Sequence, residues 1–159
     1  MKLLVISDSH KNIDRMQYAA QQVMPDAILH LGDHIADAHE LQRRLPNTVI
    51  HTVVGNCDFY AAGEDELLLT LEGVKIYMTH GHNFGVKQSL SALMGQARRK
   101  GADLVLFGHT HQALMQQTNG LWLMNPGQIG RNDSICAASY GVVSVEGGVV
   151  EWGIRYLGS

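Results

Sequence analysis

The chain reads as an α/β protein whose strands form two mixed sheets packed face to face. Three observations carry that reading. The N-terminal half alternates short apolar runs with segments of helical periodicity, the pattern of βαβ units. Five of the apolar runs end in a cluster of Asp, Asn or His, usually beside glycine. From Ala113 onward the pattern is all-β, and hairpins of that kind cannot join a purely parallel sheet.

Lys2–Ile6 is apolar from Leu3 onward, as expected of a strand buried on both faces. Ile13, Met16, Ala20 and Val23 recur at helical spacing, with Asn12 as N-cap and Pro25 as the stop. Ala27–Leu31 is the second strand. Ala38, Leu41 and Leu45 mark a short helix ending before Pro46, and the β-branched stretch Thr48–Val54 is the third strand. Leu67–Leu71 and Val74–Thr79 flank Glu72-Gly73, a hairpin signal. Val86, Leu90, Leu93, Met94 and Ala97 predict a helix closed by Arg98-Arg99-Lys100 and Gly101. Leu104–Phe107 is another buried strand. Gly120 breaks one C-terminal hairpin, and Gly147-Gly148 breaks another between Tyr140–Val145 and Val149–Tyr156.

The 159 residues suit a single domain, 1–159, and the 45% hydrophobic and 17% charged fractions exclude disorder. With 12 Lys+Arg against 15 Asp+Glu, no basic excess invites nucleic acid or an anionic membrane. No stretch approaches the ~20 apolar residues of a membrane span. The first apolar run is cut by Asp8, so a signal peptide is not expected. Two cysteines are too few for a disulfide framework and suit a reducing, cytoplasmic setting. The 9 histidines are the unusual entry, and they point towards metal.

Ligands of open α/β sheets bind beyond the carboxyl ends of the strands. Those ends carry Ser7-Asp8-Ser9-His10, Gly32-Asp33-His34, Gly55-Asn56-Cys57-Asp58, His80-Gly81-His82 and Gly108-His109-Thr110-His111. Oxygen and imidazole donors without a thiolate cluster favour Mn, Fe, Co, Ni or Zn over a structural zinc. Asp8, His10, Asp33, Asn56, His80, His109 and His111 are too many for one ion. Two ions about 3.5–4 Å apart, sharing a carboxylate, would use them all.

D-x-H, G-D, G-N-x-D, H-G-H and G-H-T-H together resemble the calcineurin-like metallophosphoesterase superfamily. The short chain, the G-N-C-D variant and Asn125-Pro126-Gly127 resemble its small bacterial and archaeal phosphodiesterase branch, which also includes the eukaryotic Vps29 retromer subunit. The resemblance runs from Ser7 to about Gly127. It implies a four-layer αββα sandwich. It also implies a dinuclear phosphoesterase, foremost a phosphodiesterase, that hydrolyses a small phosphate ester by attack of a metal-bound hydroxide. One ion would take Asp8, His10, Asp33 and His111, the other Asp33, Asn56, His80 and His109, with Asp33 bridging. Manganese is the first expectation, with nickel, cobalt, zinc, iron or magnesium as alternatives. Two other functions fit the resemblance: a Vps29-like protein-binding scaffold with a vestigial site, and a phosphomonoesterase for a small metabolite.

Many relatives have G-N-H-[DE], whose histidine is the supposed general acid. Here that position is Cys57, a weak hydrogen-bond donor. Protonation of the leaving oxygen then falls to His82 or water, or the substrate must bring a good leaving group. Asp58 is expected to orient its neighbours as an acceptor. Asp58 and His82 are thus the catalytic candidates. His30 and His51 lie inside strands and read as structural, His39 as helix surface, and Cys136 as core. His34, Asn125-Pro126-Gly127, Arg131, Lys11 and Lys87 lie near the motifs without a settled role. The β-rich C-terminus could offer an edge for a homo-oligomer.

Overall fold

The computed structural model describes residues 1–59, 61–132 and 137–158, so Cys136 lies outside the described residues. Strand β1 is Lys2–Ile6, helix α1 Ile13–Val23, β2 Ala27–His30, α2 Ile35–Arg44 and β3 Val49–Thr52. A hairpin of β4, Glu66–Leu71, and β5, Val74–Thr79, follows. Then come a 3-10 turn at His82–Phe84, helix α3 at Ser91–Arg99 and strand β6 at Leu104–Leu106. The chain closes with β7 at Ala113–Thr118, β8 at Leu121–Pro126, β9 at Ser139–Glu146 and β10 at Val149–Tyr156.

These strands form two five-stranded mixed sheets, ordered β10-β9-β1-β2-β3 and β4-β5-β6-β8-β7. Three faces are apolar, which makes four layers. Between the sheets, Leu3, Val5 and Leu29 of the first pack with Ile76, Met78 and Leu106 of the second. Outside the first sheet, Leu4, Ile6 and Ile28 pack under α1 and α2 through Met16, Ala19 and Leu41. Outside the second, Tyr77, Val105 and Leu123 pack under α3 through Leu93 and Ala97. Alternate residues of β1 therefore enter different cores, which is why Leu3–Ile6 is apolar without interruption.

The Asn12 side chain caps α1 by accepting from Arg15 N, an arrangement worth about 1 kcal/mol. The α3 segment departs from expectation. Helical periodicity begins at Val86, yet the helix begins at Ser91. Gly85, with φ 59°, closes the 3-10 turn, and the Gly85 carbonyl accepts from Gln88 N and Ser89 N in a separate turn. Val86 and Leu90 still pack on the α3 cluster, so the apolar period runs on across the break. Among the described residues no helix is long and apolar enough to cross a membrane.

Parallel pairing of β1, β2 and β3 in one sheet, and of β5, β6 and β8 in the other, puts six carboxyl ends at one rim. Backbone bonds stitch the two sheets there: in the segment after β8, Ile129 N donates to Ser7 O and Gly130 N to Asp8 O, both in the loop after β1. Within the second sheet, Gly108 N donates to His80 O.

Candidate metal centre

The rim loops after β1, β2 and β6 turn sharply. Asp8, His10, Asp33, His34, His109 and His111 all hold φ between 46° and 71°, a region uncommon for residues other than glycine. Strained backbone of this kind persists only where its surroundings over-determine it. The supporting bonds are explicit. Asp58 accepts from Asp33 N at 3.0 Å, Ile35 N at 2.7 Å and Gly55 N at 2.8 Å, tying the loop after β3 to the loop after β2. Asn125, at the end of β8, donates to Gly108 O and to Thr110 Oγ1, both at 3.0 Å, and accepts from Gly127 N at 2.9 Å.

A second network lies beneath the first loop. Gly32 N donates to His30 Nδ1 at 3.2 Å, so Nε2 carries the hydrogen and faces Ser9 Oγ at 3.1 Å. Ser9 Oγ then donates to Asp37 Oδ2 at 2.7 Å, which also accepts from Lys11 N at 2.7 Å. Complete burial pushes His30 down to about 4, so it is a neutral, structural imidazole at neutral pH.

Glycine is required where backbone meets a carboxylate. A Cβ at Gly55 would collide with the Asp33 carboxylate, and one at Gly108 with the Ser7 hydroxyl and Asp8.

The converging groups form two overlapping donor sets, Asp8 with His10 and His111, and Asp8 with Asp33 and His80, each within 4.8 Å. Asp8 is fully buried. Its Oδ2 accepts from Ser7 Oγ at 2.6 Å and from His109 N at 3.3 Å. Its Oδ1 makes no well-formed hydrogen bond and faces His111 Nε2 at 3.2 Å. His80 is held by the Leu31 carbonyl, 2.8 Å from Nδ1. A carbonyl can only accept, so Nδ1 carries the hydrogen and Nε2 turns to Asn56 Oδ1 at 3.0 Å, Asp33 Oδ2 at 3.4 Å and Asp8 Oδ1 at 4.0 Å. An imidazole nitrogen anchored from behind and facing three oxygens is the arrangement of a metal ligand. His10 Nε2 is likewise buried without a partner. These orphaned atoms and the oxygen and imidazole donor set fit divalent ions.

Charge follows the same geometry. Burial pushes the Asp8 carboxyl up, but His111, His80 and the Ser7 hydroxyl outweigh it and hold it below its ordinary value. Asp33 behaves alike, with His80 and the Cys57 amide holding it well below the carboxylate range against its burial. Burial lowers His80, but Asp33 and Asp8 more than offset this and leave it raised. Burial lowers His10, His82 and His109, with neighbouring positive groups adding to the effect.

The remaining residues fall outside the converging oxygens and nitrogens by different amounts. The His109 ring centroid lies 5.1 Å from that of His80 and the His82 centroid 5.4 Å. His82 Nδ1 is buried without a hydrogen bond. The His34 ring lies 5.1 Å edge-on to His10. Cys57 is exposed, and burial of its thiol together with Asp33 raises its pKa, so it stays protonated at neutral pH. Asp58 spends both oxygens on backbone amides. Sequence reasoning passed over Ser7, Ser9 and Asp37, which no spacing rule singles out. Asn125, which has no settled role in the sequence, fastens the His109 loop through its side chain. The strand-end rule would have found it, since β8 is parallel to β6 and ends at the same rim.

Residues 1–148 match the family model of the Calcineurin-like phosphoesterase superfamily domain. A probable metallophosphoesterase of Bacillus subtilis, YsnB, is 38% identical over 149 residues, covering 92% of this chain and 85% of that protein. The phosphodiesterase YfcE of Escherichia coli K12 is 28% identical, covering 90% of this chain and 87% of that one. In fold, vacuolar protein sorting 29 of Cryptosporidium parvum superposes with a TM-score of 0.79 at 15% identity, covering 99% of this chain and 98% of that chain.

Proposed function

We propose a phosphodiesterase activity for this chain, which belongs to the calcineurin-like phosphoesterase superfamily. The observation that carries the reading is the convergence of donors from separate strand ends on the buried Asp8 Oδ1 and His10 Nε2, neither of which makes a well-formed hydrogen bond. Asp8, His10, Asp33 and His111 would hold one divalent ion. Asp33, Asn56, His80 and His109 would hold the second. Ions bound there lower the pKa of water to about 7 and offset charge on a phosphate ester.

The protein's own groups do the rest. Asp58 positions Asp33 by fixing its amide. His82, lowered by burial and by His80, is neutral at neutral pH and offers its N–H to the leaving oxygen as a hydrogen bond. Cys57, protonated and weakly donating, adds little there. Turnover should therefore depend steeply on the leaving group. A diester carries one negative charge and suits a site whose nearby cations, Lys11, Lys87 and Arg131, are all exposed.

The test is hydrolysis of an aryl phosphodiester beside the matching monoester, after EDTA stripping, with Mn²⁺, Ni²⁺, Co²⁺, Zn²⁺, Fe²⁺ or Mg²⁺ restored. Diester cleavage that returns with Mn²⁺ and is lost in Asn56→Ala supports the proposal. Preference for the monoester would point to a phosphomonoesterase. No turnover with any ion, despite ion binding, would favour a binding scaffold, the reading that the missing imidazole at Cys57 supports.

A further inference from the structure

Beside the converging imidazoles lies a cavity of about 420 Å³, within the roughly 300–1,000 Å³ range of small-molecule sites. Its lining includes Thr110, the residue between His109 and His111, with Gln112 close by, and it lies between the Val86–Leu90 segment and the start of β7. Val86, Leu90, Phe107 and Leu114 form apolar walls. Phe107 is 1% exposed and immediately precedes Gly108 of the His109 loop. Val86 packs against Gly81, where an added Cβ would lie 3.2 Å from Val86 Cγ2, so the wall is continuous with the His80–His82 loop. Lys87 is the charged residue of the lining, and its ammonium acts on His109. Apolar walls with a cation beside the ligand cluster complement a molecule that is anionic at one end and apolar at the other.

We propose that this cavity binds one organic arm of the phosphodiester, an aromatic group, while Lys87 faces the anionic phosphate at its mouth. The inference rests on the phosphodiesterase reading and names its substrate class. The metal ligands hold the phosphate, and of the two arms one lies against Val86, Leu90 and Leu114, out of water. Discrimination between a large apolar group and a methyl then comes from area buried in the cavity. A difference of a single methylene is worth about 10–200-fold in such a pocket. An aromatic ring should exceed the lower figure.

Calorimetry on Mn²⁺-loaded protein tests this without turnover. The probes are methyl phenylphosphonate and methyl methylphosphonate, two monoanions that differ only in the arm. The phenyl compound should bind at least about tenfold more tightly. Leu114→Trp, which fills the cavity from β7, should bring the ratio to near one. Leu90→Trp should do the same from the opposite wall, so the inference does not depend on either variant folding. Equal binding of the two compounds by the unaltered protein would overturn it. So would a ratio unchanged in both variants when each melts as a folded protein. Phenyl-selective binding, lost in the variants, with no hydrolysis of the matching diester would uphold the cavity and refute the phosphodiesterase activity.

Discussion

Replacing Asp58 with asparagine changes one oxygen for an amide nitrogen in a part-buried corner where backbone amides converge. The remaining oxygen can serve Asp33 N and Gly55 N, which now share Oδ2. The new NH₂ then faces Ile35 N, donor against donor, at the position where Oδ1 accepts at 2.7 Å. A hydrogen bond to a charged group is worth about 1.5–3 kcal/mol, and its partner is left unsatisfied. With partial exposure taken into account, the cost is about 2 kcal/mol. In a domain of this size that lowers Tm by about 4–8 °C. The same change loosens Asp33, whose amide and carboxylate are fixed by the loop that Asp58 closes. Losing such a supporting contact typically costs about 10–100-fold in metal affinity. Thermal melts in EDTA read the first effect, and competition titration with Mn²⁺ reads the second. A variant that melts within about 1 °C of the parent and binds Mn²⁺ equally well would refute the positioning role.

Other perturbations follow from the same geometry. Because His30 is held at about 4 against an ordinary 6.5, the unfolded chain takes up its proton first as pH falls. Stability is then lost between about pH 6.5 and 4, worth about 3 kcal/mol at about 1.4 kcal/mol per pH unit. Denaturant melts of metal-free protein should show this loss diminished in His30→Gln; parallel pH profiles would contradict it. Gly55→Ala places a Cβ in the Asp33 carboxylate and should cost about 1–3 kcal/mol and at least about 100-fold in turnover. A melt and a rate like those of the parent would count against it. Cys57→His restores an imidazole and should raise turnover of diesters with poor leaving groups by at least about tenfold. An unchanged rate in a folded, metal-loaded variant would show that the missing imidazole is not what limits the reaction.

Much of this architecture is legible in the chain because two physical signals are local. Continuous apolar runs such as Leu3–Ile6 mark strands buried on both faces, and polar groups directly after them mark the rim. Residues as distant in the chain as Asp8 and His111 share that signal. The extent of α3 was not legible, because Val86 and Leu90 keep the helical period while Gly85 and the preceding turn break the backbone. The His30–Ser9–Asp37 network was hidden for a different reason. Its members are brought together by the parallel pairing of β1 with β2 and by the first turn of α2, and sequence spacing records neither contact. That Asp58 accepts from three backbone amides depends on loop geometry, which sequence spacing does not record.

The most direct test is to titrate Mn²⁺ into EDTA-stripped protein while following cleavage of a p-nitrophenyl phosphodiester. A centre of two ions predicts that activity rises from zero and reaches its plateau at two equivalents per chain. Full activity before any ion is added, or a plateau at one equivalent, would contradict it.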